Sequence, residues 1–177
     1  MRQPLIIGPR GASAVALENT MAAFEAAIDA GADGIEFDVH LSRDGVPVII
    51  HDATLQRTHG LRRRVADLTR AELRSVGVPS LRNMFELMSR NDLMLCLEIK
   101  AKSLALPDLC CQLVSEFAFE DRVIVECFDL EVIKNIKTLK TAALFDTRIY
   151  TDQRLIDRCL AVGASVLALH HRLARPS

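Results

Sequence analysis

The chain has 177 residues, 50% hydrophobic and 25% charged, with a formal net charge of −1. This balance predicts one soluble globular domain, residues 1–177, long enough for a good core and with no charge excess pointing to nucleic acid as a partner. No basic-plus-apolar leader and no membrane-spanning apolar run is visible, and five cysteines (Cys96, Cys110, Cys111, Cys127 and Cys159) without a CxxC pair argue for reduced thiols in the cytoplasm, not a disulfide framework or a zinc site.

Leu5-Ile6-Ile7 reads as a first short strand. A helix follows from about Thr20 to Ala30, with Phe24, Ala27 and Ile28 as its apolar stripe, Asn19 or Thr20 as its cap and Gly31 as its stop. Gly34 to His40 alternates with period two: Ile35, Phe37 and Val39 share one face, and Glu36, Asp38 and His40 the other. Asp44-Gly45 then turns the chain into Val46–Asp52. That connection is too short for a parallel crossover, so the two strands form a hairpin that interrupts the βα rhythm as an insertion, about residues 41–80. Gln56 to Val78 is polar and rich in arginine (Arg57, Arg62, Arg63, Arg64, Arg70, Arg74) and contains a short helix around Asp67–Leu73. A basic flap over an anionic substrate is one reading of these arginines; a solvated surface is the plainer one for most of them.

The rhythm resumes with a helix over about Leu81–Arg90 and a strand over Met94–Lys100. Helices over about Pro107–Phe117, Glu131–Thr138 and Gln153–Val162 then alternate with strands over Val123–Phe128, Ala142–Phe145 and Val166–His170. The predicted fold is α/β, a parallel TIM-barrel-like sheet with six barrel strands of the eight that a closed barrel of about 250 residues has. Open edges of that kind predict self-association.

Two strands carry the chemistry. Glu36 and Asp38 lie two strand residues, roughly 7 Å, apart on one face. If buried, such a pair needs a proton or a cation, and a hard divalent ion with oxygen ligands is the simplest resolution. The second strand repeats the pattern: Leu95, Leu97 and Ile99 on one face, Cys96, Glu98 and Lys100 on the other. Glu98 is thus a candidate third oxygen ligand and Lys100 a candidate anion binder, set against a plain Glu–Lys ion pair. Barrel enzymes place their chemistry at these carboxyl ends of strands.

Taken in order, Arg10-Gly11, Glu18-Asn19-Thr20, Glu36-Phe37-Asp38-Val39, Asp44-Gly45, His51-Asp52, Arg57-Thr58, Pro79-Ser80-Leu81, Glu98-Ile99-Lys100 and Cys127-Phe128 resemble the glycerophosphodiester phosphodiesterase family over Leu5 to His170. The resemblance implies a TIM barrel with a small insertion after its second strand. It implies hydrolysis of a small-molecule glycerophosphodiester to glycerol 3-phosphate and an alcohol. It further implies Glu36, Asp38 and Glu98 as ligands of Mg²⁺ or Ca²⁺, His51 as one half of an acid/base pair, and Arg10 and Lys100 as phosphate contacts.

Two departures stand out: Pro9 occupies the place of the family's leading histidine, and the last two barrel strands are missing, with no Trp in the chain. Proline has no side-chain proton to give or take. These features define the competing reading, a non-catalytic metal- and phosphate-binding relative or a degenerate fragment. Among the other polar candidates, His40 reads as a rim residue, His59 as a loop residue, His170 and His171 as strand-end surface residues, and Cys127 as a buried small residue.

Overall fold

Alternating strands and helices fold into a curled parallel sheet with helices outside. The computed structural model describes residues 3–100, 105–146 and 154–169. The barrel strands are β1 (Ile7–Pro9), β2 (Gly34–Leu41), β4 (Met94–Ile99), β5 (Val123–Cys127), β6 (Lys140–Phe145) and β7 (Val166–Leu169), and they lie side by side in that order. β3 (Pro47–Ile49) is the hairpin partner of β2, antiparallel to it through Val39↔Ile49 and Leu41↔Pro47. The helices α1 (Met21–Asp29), α4 (Leu81–Met88), α5 (Ala105–Glu116), α6 (Leu130–Asn135) and α7 (Leu155–Val162) fill the crossovers, while α2 (Gln56–His59) and α3 (Arg70–Ser75) belong to the insertion.

The sheet register explains where His51 goes. β1 pairs with β2 only from Ile7↔Gly34 to Pro9↔Glu36. Beyond Pro9 that edge of β2 is free, and β3 takes it, with Ile50 N donating to Asp38 O at 3.0 Å. The chain therefore enters the next loop, at His51, directly beside Asp38.

The first strand differs from its expected span. Leu5 and Ile6 precede it and are exposed. Asp33 is the reason: its carboxylate accepts the Ile6 N–H at 2.7 Å and its own N–H donates to Ile6 O at 2.8 Å, so the ladder begins at Ile7, two residues later than expected. His59, expected in a loop, ends the short helix α2, whose chain reversal is made by Gly60 in the left-handed region at φ 69°. His170 and His171 lie outside the described residues.

The period-two faces divide as the sequence implies. Ile35, Phe37, Val39, Leu95, Leu97, Ile99, Val123 and Val125 point to the helices and are buried in one core with Phe24, Met84 and Phe85. Phe24 of α1 meets Phe37 edge-on at 6.1 Å. Phe85 of α4 packs against Phe117 and Phe119 at 5.5 and 5.2 Å, and Arg122 caps Phe119 at 3.9 Å from its centroid. A second cluster, Val48, Ile50, Leu55, Val65, Leu68, Leu73 and Val78, is internal to the insertion. Α3 in that insertion starts on a capping box between Thr69 and Glu72. The outer edges are less well covered: Ile156 and Leu160 on α7 and Val166 on β7 are exposed, as are Leu5 and Ile6 at the other end of the sheet.

Phe85 has no exposed surface and anchors the aromatic cluster with Phe117 and Phe119. Phe85→Ala is expected to cost about 3–5 kcal/mol, read as a lowered urea midpoint at unchanged slope. A loss under about 1 kcal/mol would mean that this cluster does not support the sheet.

Candidate active site

At the carboxyl ends of β1, β2, β4 and β5 the inward faces meet in a cavity of about 510 Å³, lined by Pro9, Arg10, Ser13, Glu18, Glu36, Glu98, Glu126 and Leu144. Asp38 and Glu98 are direct cross-strand neighbours in the β2–β4 register. Glu36, Asp38 and Glu98 each bring a carboxylate oxygen within 4.8 Å of the other two, a grouping that can hold a metal ion. Asp38 is fully buried. Asp38 Oδ1 and Glu98 Oε1 are buried, with the Lys100 ammonium as their partner at 3.0 and 2.5 Å. The Glu98–Lys100 ion pair, the plainer alternative to a site in the sequence, is present and extends to Asp38. Oxygen donors of this hardness, with cationic charge already drawn to them, fit a hard divalent cation.

The remaining Asp38 oxygen is fixed from the loop after β1. Asn19 Nδ2 donates to Oδ2 at 2.8 Å and Arg10 Nε approaches it at 3.3 Å. Two residues of this loop, Arg10 and Asn19, have φ of 55° and 57°, a left-handed conformation uncommon outside glycine and held here by the site itself. Gly11 between them has no substitute: a Cβ there would lie 2.6 Å from the backbone of Ala23. Arg10 N donates to Glu36, both to its backbone oxygen at 2.8 Å and to Oε2 at 3.0 Å.

His51 stands on the opposite lip. Its Nδ1 lies 2.7 Å from Asp52 Oδ1. Asp52 is held at about 2, first by its bond from Arg57 and further by His51. It is therefore an ionised acceptor at neutral pH, and the imidazole Nδ1 must be the donor. The His51 ring is close enough to bias the charge of both Glu98 and Glu18. His40 is not at the rim as a free group: its Nε2 donates to His51 O at 3.0 Å from within the β2–β3 ladder, and burial lowers its pKa.

Pro9 pairs with Glu36 and lines the cavity, so a side chain at position 9 faces the same space as Arg10 and Glu98. Glu126, next to Glu98 in the β4–β5 register, is a fourth acid on this face that the sequence reading passed over. Its face-mate Ile124 is apolar, so this strand lacks the alternation of β2 and β4, and only its pairing with Glu98 reveals Glu126. Cys127, as expected, is buried among core residues, where burial pushes its thiol up to about 11. Phe128 is exposed at the lip, 6.0 Å from the Lys100 ammonium. Of the insertion's arginines, Arg62, Arg63, Arg64 and Arg74 are solvated, as anticipated, while Arg57 binds Glu18 and Asp52.

A family model for the glycerophosphoryl diester phosphodiesterase family matches residues 10–173. The chain belongs to this family. It is 34% identical over 151 residues to the glycerophosphodiester phosphodiesterase of Caldanaerobacter subterraneus subsp. tengcongensis, an alignment covering 76% of this chain and 62% of that protein. The crystal structure of a glycerophosphodiester phosphodiesterase from Thermotoga maritima matches with a TM-score of 0.84 at 32% identity, over 96% of this chain and 75% of that one. An Oleispira antarctica phosphodiesterase, solved in complex with the product sn-glycerol-3-phosphate, shares the fold with a TM-score of 0.86 at 23% identity. The chain thus spans 62% of the length of the curated relative from Caldanaerobacter.

The acids carry a pH signature. Burial, and then the Asp38 charge, raises Glu36 from 4.5 to about 8. Burial raises Glu126 to about 7. The folded chain therefore keeps protons that the unfolded chain releases. This stability is full below about pH 4.5 and is lost as pH rises to about 8. In chelator the Tm is expected to fall across this window. Added Mg²⁺ or Ca²⁺ is expected to raise Tm most at its upper end, where the carboxylates ionise as ligands. A Tm independent of both pH and ion would contradict the buried acidic cluster.

Proposed function

We propose that the chain, as a single domain of residues 1–177, hydrolyses glycerophosphodiesters to glycerol 3-phosphate and an alcohol. The observation that carries this reading is the convergence of Glu36, Asp38 and Glu98 within 4.8 Å, beside Arg10, Lys100 and His51. Glu36, Asp38 and Glu98 hold a divalent cation, Mg²⁺ or Ca²⁺, which when bound supplies Lewis-acid stabilisation of phosphoryl charge. Arg10 and Lys100 orient the phosphate; the guanidinium offers two donors to its oxygens and the ammonium a point charge. His51 keeps a proton on Nδ1 against Asp52, leaving Nε2 to accept or return one at the reacting oxygen. The five free cysteines support a reducing, cytoplasmic setting. No helix among the described residues is long and apolar enough to cross a membrane.

Position 9 limits the rate. A phosphodiester needs one proton taken and one given, and His51 covers half of that exchange. Pro9 offers nothing at the place where the family's histidine stands. This favours a second reading, a relative that binds metal and phosphate compounds without turning them over.

Assayed on glycerophosphocholine with Mg²⁺ or Ca²⁺, the unmodified chain is expected to show weak or no turnover. Pro9→His is expected to raise it by roughly 10²-fold or more, and His51→Ala to abolish it. No gain in Pro9→His that still binds the ion supports the second reading. Turnover that Pro9→His leaves unchanged but His51→Ala abolishes would mean that another group replaces the lost histidine.

The exposed Leu5, Ile6, Ile156, Leu160 and Val166 support self-association through the open edges of the sheet. Light scattering is expected to give a mass above 19.6 kDa that falls when Ile156 and Leu160 are replaced by Lys. A soluble monomer of ordinary stability would refute the association.

A further inference from the structure

Arg57 sits in the insertion, outside the barrel, yet its guanidinium reaches two carboxylates of the site. Its Nε donates to Asp52 Oδ2 at 2.7 Å, and its terminal nitrogens donate to the two oxygens of Glu18 at 2.9 and 2.6 Å. Glu18 Oε1 also receives Arg10 at 3.2 Å, and Asp52 Oδ1 receives His51 Nδ1 at 2.7 Å. A continuous chain results, Arg10–Glu18–Arg57–Asp52–His51. It ties the loop after β1 to the loop after β3, residues 39 apart in sequence at the Glu18–Arg57 contact. Among the described residues no backbone hydrogen bond joins residues 10–20 to residues 51–57. The fork therefore carries the connection.

The geometry points to Arg57 as a positioning residue of this site: it holds Asp52 so that His51 is protonated on Nδ1 with Nε2 free, and through Glu18 it sets the direction of Arg10. A guanidinium suits the task because three of its donors serve two carboxylates in one plane, which an ammonium cannot do. The charges are stable as well: the bond from Arg57 is the largest cause lowering both Glu18 and Asp52. A plain surface salt bridge of this exposure would add little to stability and nothing to the imidazole. The tautomer of His51 separates the two cases, because the hydrogen bond at one ring nitrogen decides where the proton sits.

The test is ¹⁵N NMR of the full chain at a pH where the His51 ring is neutral, with the signal assigned by His51→Gln. The unmodified chain is expected to show the Nδ1–H form. Arg57→Gln is expected to lower the ratio of Nδ1–H to Nε2–H about tenfold, the effect of loosening one charge-assisted hydrogen bond. Arg57→Lys keeps the charge and the fold, and is expected to shift the ratio in the same direction because it lacks the fork. Arg82→Gln breaks another two-pronged pair, Arg82–Glu116 at 2.7 and 2.6 Å, and is expected to leave the ratio alone. An unmoved ratio in Arg57→Gln, a full return in Arg57→Lys, or an equal shift in Arg82→Gln would each overturn the assignment. The catalytic meaning of the clamp rests on the proposed hydrolase function. The ratio needs no turnover, so a Pro9→His variant that binds the ion yet gains no activity counts against that function and leaves the clamp intact.

Discussion

Asp38 has no exposed surface and shares the inward face of the sheet with Glu36, Glu98 and Glu126. Four acids in a half-barrel interior repel one another unless each is protonated, bonded or balanced by a cation. The structure answers them in three ways. Burial favours the protonated forms of Glu36 and Glu126, Asn19 and Arg10 take one oxygen of Asp38, and the Lys100 ammonium faces its other oxygen and Glu98. Burial works against the Lys100 charge, but Asp38 and Glu98 more than offset it and its pKa is raised. The loop after β1, the strand pairing of β2 with β4, and the placement of Lys100 all serve this one electrostatic demand.

The same demand explains why the backbone after β1 is unusual. Arg10 and Asn19 sit in the left-handed region, and Gly11 packs where no side chain fits. Strained conformations persist only when their surroundings over-determine them. Here the surroundings are the acids: Arg10 bonds Glu36 and approaches Asp38, and Asn19 bonds Asp38 on both side-chain and backbone atoms. The polar cluster and the loop fix each other.

Much of this was readable along the chain, because it rests on local periodicity. Alternation in Gly34–Leu41 and Met94–Ile99 assigns Glu36, Asp38 and Glu98 to one face before any contact is known, and Asp44-Gly45 marks the hairpin. What was not readable depends on register or on distant pairing. The start of β1 is decided by Asp33, 27 residues after Ile6. Arg57 stands out along the chain only as part of the Arg57-Thr58 motif, and only the fold brings it to Glu18. His40 alternates with Asp38 but is claimed by the His51 carbonyl through the hairpin ladder, a pairing that side-chain pattern alone does not specify.

The insertion has a hydrophobic cluster of its own, from Val48 to Val78, apart from the core beneath the barrel strands. Separately packed clusters tend to open as separate cooperative units, each with its own free energy. His51, Asp52 and Arg57 lie within this smaller unit, whereas Asp38 and Glu98 belong to the larger one. Amide exchange in the two regions is therefore governed by different opening events. The half of the pocket proposed to bind the cation can persist while the half proposed to handle protons is momentarily dismantled, so heat and denaturant can act on the two independently.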